Sequence, residues 1–113
     1  MEPLNSLELL IFDRLSGKYP SIKHHIPFLR VLNREFTGVG MYVNFCYLET
    51  AVNISPLDLS RFPISTNENI IIPTLQYGLG YEVVIDDGKI NFIEFVTYGE
   101  KWDGNMDNYL IKP

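Results

Sequence analysis

The stretch "YEVVIDDGKINFIEFVTY", residues 81–98, decides the fold because it predicts a β-hairpin. Asp87 and Gly88 separate two runs of β-branched and aromatic residues, and this dipeptide favours a two-residue type I′ turn. Such a turn fixes the strand pairing and places Tyr81 opposite Glu94. One face of the hairpin is then apolar except for a single acid, and it carries Tyr81, Val83, Ile85, Ile90, Phe92, Glu94, Val96 and Tyr98.

Glu94 is the exceptional residue of this predicted core face, since an uncompensated carboxylate in an apolar environment is costly. Its predicted partners are hydroxyl and guanidinium groups, namely those of Tyr81, Tyr98, Arg30 and Arg34. In one interpretation, Glu94 is a satisfied polar core residue that fixes the register of the sheet. In the other, Tyr81, Glu94 and Tyr98 line a pocket, where the carboxylate acts as a general acid or base or binds a cationic ligand.

A helix of about ten residues is predicted near the N-terminus. Asn5 or Ser6 is a suitable N-cap, Glu8 completes a capping box with Asn5, and Gly17 suits the end of the helix. The apolar stripe consists of Leu4, Leu7, Leu10, Ile11 and Leu15. Because so short a helix is unstable alone, the stripe is expected to cover one face of a sheet.

The rest of the chain predicts further strands and one long loop. We expect a helical turn over 21–25, a strand over 28–36, a second strand within "GVGMYVNFCYL" (38–48) and a short strand over 70–73. Residues 49–69 are expected to form a loop with one helical turn. The predicted fold is α+β, a single domain over residues 1–113 with the N-terminal helix packed on a mainly antiparallel sheet of four or five strands.

Composition limits the class of protein. A chain of 113 residues is long enough for one domain, and it has no apolar run of the about 18 residues that span a bilayer. The N-terminus lacks the basic segment of a secretory signal. Cys46 has no second cysteine with which to form an intramolecular disulfide. These features predict a cytoplasmic protein without a membrane-bound part.

The net charge of −5 comes entirely from residues 57–113, because acids and bases balance in residues 1–56. An acidic surface disfavours nucleic acid and anionic lipid and attracts a basic protein. With adjacent His24 and His25 and one cysteine, no closed zinc site is predicted. The two Gly-x-Gly stretches, 38–40 and 78–80, precede no predicted helix, so no nucleotide or other cofactor is expected.

The stretch "YGEKWDGNMDNYL", residues 98–110, is the predicted partner-binding segment. It places one tryptophan in an acidic frame, and Trp and Tyr dominate the energetics of protein interfaces. The predicted binding residues are Tyr98, Glu100, Trp102, Asp103 and Asp107. The alternative is that Trp102 closes the open end of the core.

The stretches "REFTGVGMYVNF" (34–45) and "GLGYEVVIDDGKINFIEFVTYGEKW" (78–102) carry a resemblance. The chain resembles a group of small bacterial α+β proteins with a Thr-Gly-x-Gly strand and an Asp-Gly hairpin that ends in Glu-aromatic, Thr-Tyr-Gly and Trp. The resemblance implies a bacterial cytosolic domain but no reaction. The shared pattern falls on Thr37, Gly38, Gly40, Gly88, Glu94, Tyr98, Gly99 and Trp102.

By type, the chain is also similar to immunity proteins of contact-dependent toxin systems, since it is small, acidic and without a catalytic motif. That similarity implies a protein that neutralises a basic toxin domain by occluding it. The first alternative is a small enzyme or ligand-binding domain with Glu94 in a pocket. A further alternative is a structural domain of a homo-oligomer, which pairs through an exposed sheet edge.

Overall fold

The computed structural model describes residues 1–58 and 63–112. In this part of the chain one α-helix, α1 (Ser6–Lys18), packs on a six-stranded antiparallel sheet. The strands are β1 (Leu29–Phe36), β2 (Gly40–Tyr47), β3 (Asn69–Ile71), β4 (Leu79–Asp86), β5 (Lys89–Thr97) and β6 (Leu110–Lys112), in the order β1-β2-β5-β4-β3-β6. Short 3₁₀ turns cover Pro20–His24, Ile26–Phe28 and Glu49–Asn53.

The α+β prediction is confirmed, but the number of strands is six in the described residues and not four or five. The strand predicted over 70–73 is β3, which pairs with the three-residue strand β6. A strand of three residues is too short to show an alternating pattern, so β6 had no sequence signal. Part of the loop predicted over 49–69, residues 59–62, lies outside the described residues.

The N-terminus of α1 carries the predicted capping box. The Asn5 side chain accepts a hydrogen bond from the Glu8 amide at 2.8 Å, and the Glu8 carboxylate accepts one from the Asn5 amide at 2.9 Å. The helix continues through Gly17 to Lys18, where the Tyr19 amide bonds the Leu15 carbonyl at 2.7 Å. Phe12 packs edge-on against Phe45 of β2, with ring centroids 5.4 Å apart, which fixes the helix over the inner face of the sheet.

Glu8 joins the helix to the edge strand β1 through a buried ion pair. Its side chain is 0% exposed and receives two hydrogen bonds from Arg34, at 2.9 and 3.0 Å. Glu2 accepts a further hydrogen bond from Arg34 at 3.0 Å. These carboxylates raise the pKa of Arg34, and the hydrogen bonds that Arg34 donates to Glu8 have the largest effect. Arg34 was predicted to be a partner of Glu94. In the structure it pairs instead with Glu8, on the side of the sheet that α1 covers.

The β4–β5 hairpin has the predicted turn but a different register. Asp87 and Gly88 both have positive φ, 53° and 73°, as a type I′ turn requires. Ile85 pairs with Ile90, but Val84 pairs with Phe92, so one extra residue, Asn91, forms a β-bulge in β5. From there on the register is shifted by one residue.

The predicted pairing of Tyr81 with Glu94, and the predicted place of Glu94 on the core face, are therefore wrong. Tyr81 pairs with Phe95, and Glu94 pairs with Glu82. A shift of one residue turns every following side chain to the other side of the sheet. We call the side away from α1 the outer face, and Glu94 lies on it. Phe92, Val96 and Tyr98 were also predicted on the core face, and the shifted register makes that prediction wrong as well. Ile93 and Phe95 lie in the core instead and are fully buried.

A buried hydrogen-bond chain links three distant segments. The His25 Nε2–H donates to the Ser55 carbonyl at 2.8 Å, and Nδ1 accepts from the Tyr47 hydroxyl at 2.8 Å. The Tyr47 oxygen in turn accepts from the Ile90 amide at 2.8 Å. Burial lowers the pKa of His25 and raises the pKa of Tyr47 to about 12. The imidazole is therefore neutral and the phenol protonated, the states that these hydrogen bonds need.

Candidate functional site

Three carboxylates form a row across the outer face. Glu35 of β1 pairs with Tyr42 of β2, Tyr42 with Glu94 of β5, and Glu94 with Glu82 of β4. We call Glu35, Glu82 and Glu94 the acidic row. Within residues 1–58 and 63–112, no basic side chain lies within 4 Å of these three carboxylates. Among the described residues, the row is therefore a strip of negative charge without an ion-pair partner.

Tyr42 is the aromatic member of this row. The Glu94 carboxylate raises the pKa of the Tyr42 hydroxyl, first through a hydrogen bond and then through its charge. Phe92, the neighbour of Glu94 on the same face, packs edge-on against the Tyr42 ring at a centroid distance of 5.6 Å. Glu94 thus lies half-buried beside an aromatic pair, with a protonated phenol directed toward it.

A groove of about 390 Å³ lies on the β4 side of Glu94, and we call it the Tyr98 groove. The three residues predicted to share a pocket, Tyr81, Glu94 and Tyr98, all line it. Its other lining residues are Ser65, Asn67, Glu68, Asn69, Gly80, Glu82 and Val96. Gly80 forms part of its floor, because a Cβ atom there would lie 2.8 Å from the Tyr98 hydroxyl.

The polar groups of the Tyr98 groove differ in how they are satisfied. The Tyr81 hydroxyl hydrogen-bonds the Thr66 amide at 3.1 Å and the Thr66 hydroxyl at 2.7 Å, so it holds the neighbouring loop in place. Glu68 forms an ion pair with Arg14, which lowers the pKa of that carboxyl. Glu82 and Glu94 are the groove carboxylates that no basic group of the described chain neutralises.

A second depression, of about 460 Å³, lies on the β2 side of Glu94. Val39, Tyr42 and Val96 are among its lining residues, and Glu94 and Val96 belong to both hollows. The apolar side chains around Glu94 are open to solvent: Val39 is 54%, Val96 38% and Tyr98 56% exposed. Exposed apolar side chains grouped beside charges are typical of interaction surfaces.

The predicted partner-binding segment is divided by the structure. Tyr98 lies at the groove, but Trp102 is only 5% exposed and packs edge-on against Phe36 at a centroid distance of 6.0 Å. Its indole N–H donates to the Asn105 carbonyl at 3.1 Å, and its amide donates to the Gly38 carbonyl at 3.1 Å. Trp102 therefore joins the chain after β5 to the β1–β2 hairpin and belongs to the buried core, so it is not an exposed binding residue.

The acids of that segment also have separate places. Glu100 accepts hydrogen bonds from the amides of Gln76 and Tyr77 at 2.8 and 2.9 Å, so its carboxylate closes a loop. Asp103 is exposed and accepts from the Asn105 amide at 2.9 Å, and Asp107 is exposed as well. Only Tyr98 of the five predicted binding residues lines the Tyr98 groove.

Sequence reasoning missed Glu35, Tyr42 and Glu82 as site residues. Glu35 and Tyr42 lie on one hairpin and Glu82 on another, and they meet only because four strands align in one register. The available signal was Glu94 itself. An acid that alternates in step with the core residues of a predicted strand indicates a β-bulge, after which the side chains change faces.

Comparison of the chain with protein-family models, with curated proteins and with solved structures gave no match. Among the described residues, no group of His, Cys, Asp and Glu side chains has the arrangement of a metal site. No helix in the same residues is both long and apolar enough to cross a membrane.

Proposed function

We propose that this chain is a small binding protein of the immunity type, which neutralises a basic toxin domain by occluding it with the outer face of its sheet. The observation that carries the proposal is the acidic row, which crosses four strands on a face that α1 does not cover. A negative strip of this kind accelerates association with a basic protein and makes it sensitive to salt.

Tyr98 and the aromatic pair of Tyr42 and Phe92 supply the contact area beside the charges. Asp103 and Asp107 add exposed negative charge, whereas buried Trp102 serves the fold. The location that fits this function is the bacterial cytoplasm, in keeping with the resemblance of residues 34–45 and 78–102 to small bacterial domains.

The experiment begins with affinity capture of the tagged chain from its native cells, followed by calorimetry with the purified partner. The test variant is Glu35→Gln/Glu82→Gln/Glu94→Gln. The control, Asp13→Asn/Glu49→Gln/Asp58→Asn, makes the same change in charge at exposed acids outside the acidic row. We expect the test variant to weaken binding by about tenfold or more and to reduce the salt dependence. Equal affinity of the two variants would contradict the proposal.

The Tyr98 groove favours a second candidate, a domain that binds a small cationic ligand. Its volume of about 390 Å³ lies within the range of ligand sites, and Tyr81, Glu94 and Tyr98 line it. Here Glu94→Gln should abolish ligand binding in an NMR titration without lowering the melting temperature. A variant that melts earlier and still binds would return Glu94 to a structural role.

A further inference from the structure

We infer that the pair Glu82 and Glu94, with Val96 and Tyr98 beside it, receives an arginine side chain of a basic partner protein. This inference rests on the proposed function and names the group that the outer face recognises. It concerns one part of the surface, the Tyr98 groove where it meets the acidic row.

The first argument is the charge of the pair. Glu82 and Glu94 are directly paired across β4 and β5, and directly opposed residues on one face have Cβ atoms about 4.5–5.5 Å apart. Two carboxylates at this spacing repel each other, and the described residues place no cation between them. The group that complements them is a cation with several hydrogen-bond donors.

The second argument is the apolar surface next to the pair. Val96 follows Glu94 by two residues on the same face and is exposed, and exposed Tyr98 lies over Gly80, where a side chain is missing. An arginine has a hydrocarbon stem that packs on apolar surface while its charged end remains polar. Its guanidinium also stacks favourably on an aromatic ring such as that of Tyr98.

The third argument distinguishes arginine from other cations. A guanidinium is planar, presents five donors and bonds two carboxylate groups at once, whereas a lysine ammonium is a compact and strongly hydrated charge. A metal ion needs a cluster of ligands that the described residues do not provide. The combination of paired acids, an aliphatic wall and an aromatic ring therefore selects arginine.

The test is an NMR titration of the ¹⁵N-labelled chain with the capped tripeptide Gly-Arg-Gly. The controls are Gly-citrulline-Gly, a neutral peptide of the same shape, and Gly-Lys-Gly. We expect saturable millimolar binding of the arginine peptide with shifts centred on Gly80, Glu82, Glu94 and Tyr98. The lysine peptide should bind several-fold more weakly, and the citrulline peptide should cause no shifts. Equal shifts with arginine and lysine, or shifts spread over all acidic surfaces, would overturn the inference.

Two pairs of variants complete the test. Glu82→Gln/Glu94→Gln should abolish arginine binding, and Asp13→Asn/Glu49→Gln, with the same charge change, should retain it. Gly80→Ala adds a methyl group to the floor of the groove without a change in charge and should weaken binding, while Gly17→Ala, where a methyl group meets nothing within 4 Å, should not. Arginine binding that survives in the Glu82→Gln/Glu94→Gln variant would overturn the inference.

The peptide titration contains no partner protein, so its failure is distinguishable from failure of the proposed function. If the arginine peptide binds but affinity capture yields no basic partner protein, the proposed function is refuted and the arginine site stands. A partner that binds the Glu82→Gln/Glu94→Gln variant normally, yet is lost from the triple variant that includes Glu35→Gln, would refute the site and leave the function.

Discussion

At the scale of single residues, the pairing of Glu82 with Glu94 is the feature least favourable to stability. Like charges directly opposed across two strands destabilise a sheet. Proteins keep such unfavourable contacts where activity requires them, at the expense of stability. The pair is thus more readily explained by recognition than by folding.

We predict that Glu82→Gln stabilises the protein, by about 0.5 kcal/mol, because it removes the repulsion and keeps the size of the side chain. Urea denaturation at low salt measures the free energy of unfolding. Glu49→Gln is the control, since Glu49 lies in the 3₁₀ turn after β2 and has no place in the acidic row. A loss of stability in Glu82→Gln would show that an attractive contact had been removed.

Trp102 gives a second prediction at this scale. Trp102→Ala should cost about 3 kcal/mol, because it opens a cavity next to Phe36 and removes the hydrogen bond to Asn105. Tyr98→Ala, a truncation of an exposed aromatic side chain, should cost much less. Denaturation curves of the two variants provide the comparison, and equal losses would mean that Trp102 is not part of the core.

At the scale of elements, the sequence predicted the ends of elements better than the register of the sheet. Asn5 and Glu8 cap α1 as their spacing indicates, since capping is a local interaction. The bulge at Asn91 was not predictable in the same way, nor was one at Leu32 of β1, where Val31 pairs with Phe45 and Asn33 with Asn44. A bulge depends on which side chains pack best on both faces, and that is decided by strands distant in the chain.

The same cause explains how much of the site was predictable. Tyr81, Glu94 and Tyr98 do line one groove, but the reason given for it, a shared face, was wrong, because Tyr81 faces the core. Glu35 could be placed beside Glu94 only once the strand order was known, and Glu82 only once the bulge at Asn91 was known. The acidic row is a property of the sheet and not of any one segment.

The contact of α1 with β1 yields a prediction about elements. Arg34→Met should lower the free energy of unfolding by about 3–5 kcal/mol, because it leaves the carboxylate of Glu8 buried without its partner. Arg30→Met is the matched control in the same strand, since within residues 1–58 and 63–112 the Arg30 side chain donates only to backbone carbonyls, those of Pro27 and Leu29. Chemical denaturation of both variants decides the matter, and a small effect of Arg34→Met would contradict a stabilising role for the pair.

At the scale of the whole molecule, His25 connects parts of the chain that are otherwise distant. Through Tyr47 and Ser55 it joins the turn before β1, the end of β2 and the loop after it, while Ile90 adds the start of β5. The hydrogen bond that Nδ1 accepts from the Tyr47 hydroxyl requires the neutral imidazole, because a protonated ring has no acceptor nitrogen. The folded state is therefore linked to the protonation of one residue.

We predict that stability falls as the pH decreases below about 7, the region where an unperturbed histidine gains its proton. Burial lowers the pKa of folded His25, so the unfolded chain binds the proton first and is favoured as the pH falls toward the folded pKa. Below the folded pKa, both states are protonated and the loss levels off. Urea denaturation over this range measures the effect. His25→Gln should remove this part of the pH dependence and His24→Gln should keep it, whereas equal profiles of both would contradict the prediction.

The bulge at Asn91 has a consequence for how the chain avoids misfolding. Residues 92–96 contain two interleaved apolar sets, Ile93 with Phe95 and Phe92 with Val96, so a hairpin slipped by one residue would still bury apolar side chains. The slipped hairpin would also carry Glu94 into the core, and the cost of burying its unpaired charge destabilises the slipped state. Glu94→Leu should therefore add a slow phase to refolding in stopped-flow fluorescence, as chains escape from the wrong pairing, and Glu94→Gln should not. A single fast phase in Glu94→Leu would mean that the sheet alone excludes the slip. If the slow phase appears, Glu94 excludes the wrong strand pairing in every molecule that folds, whether or not a partner is present.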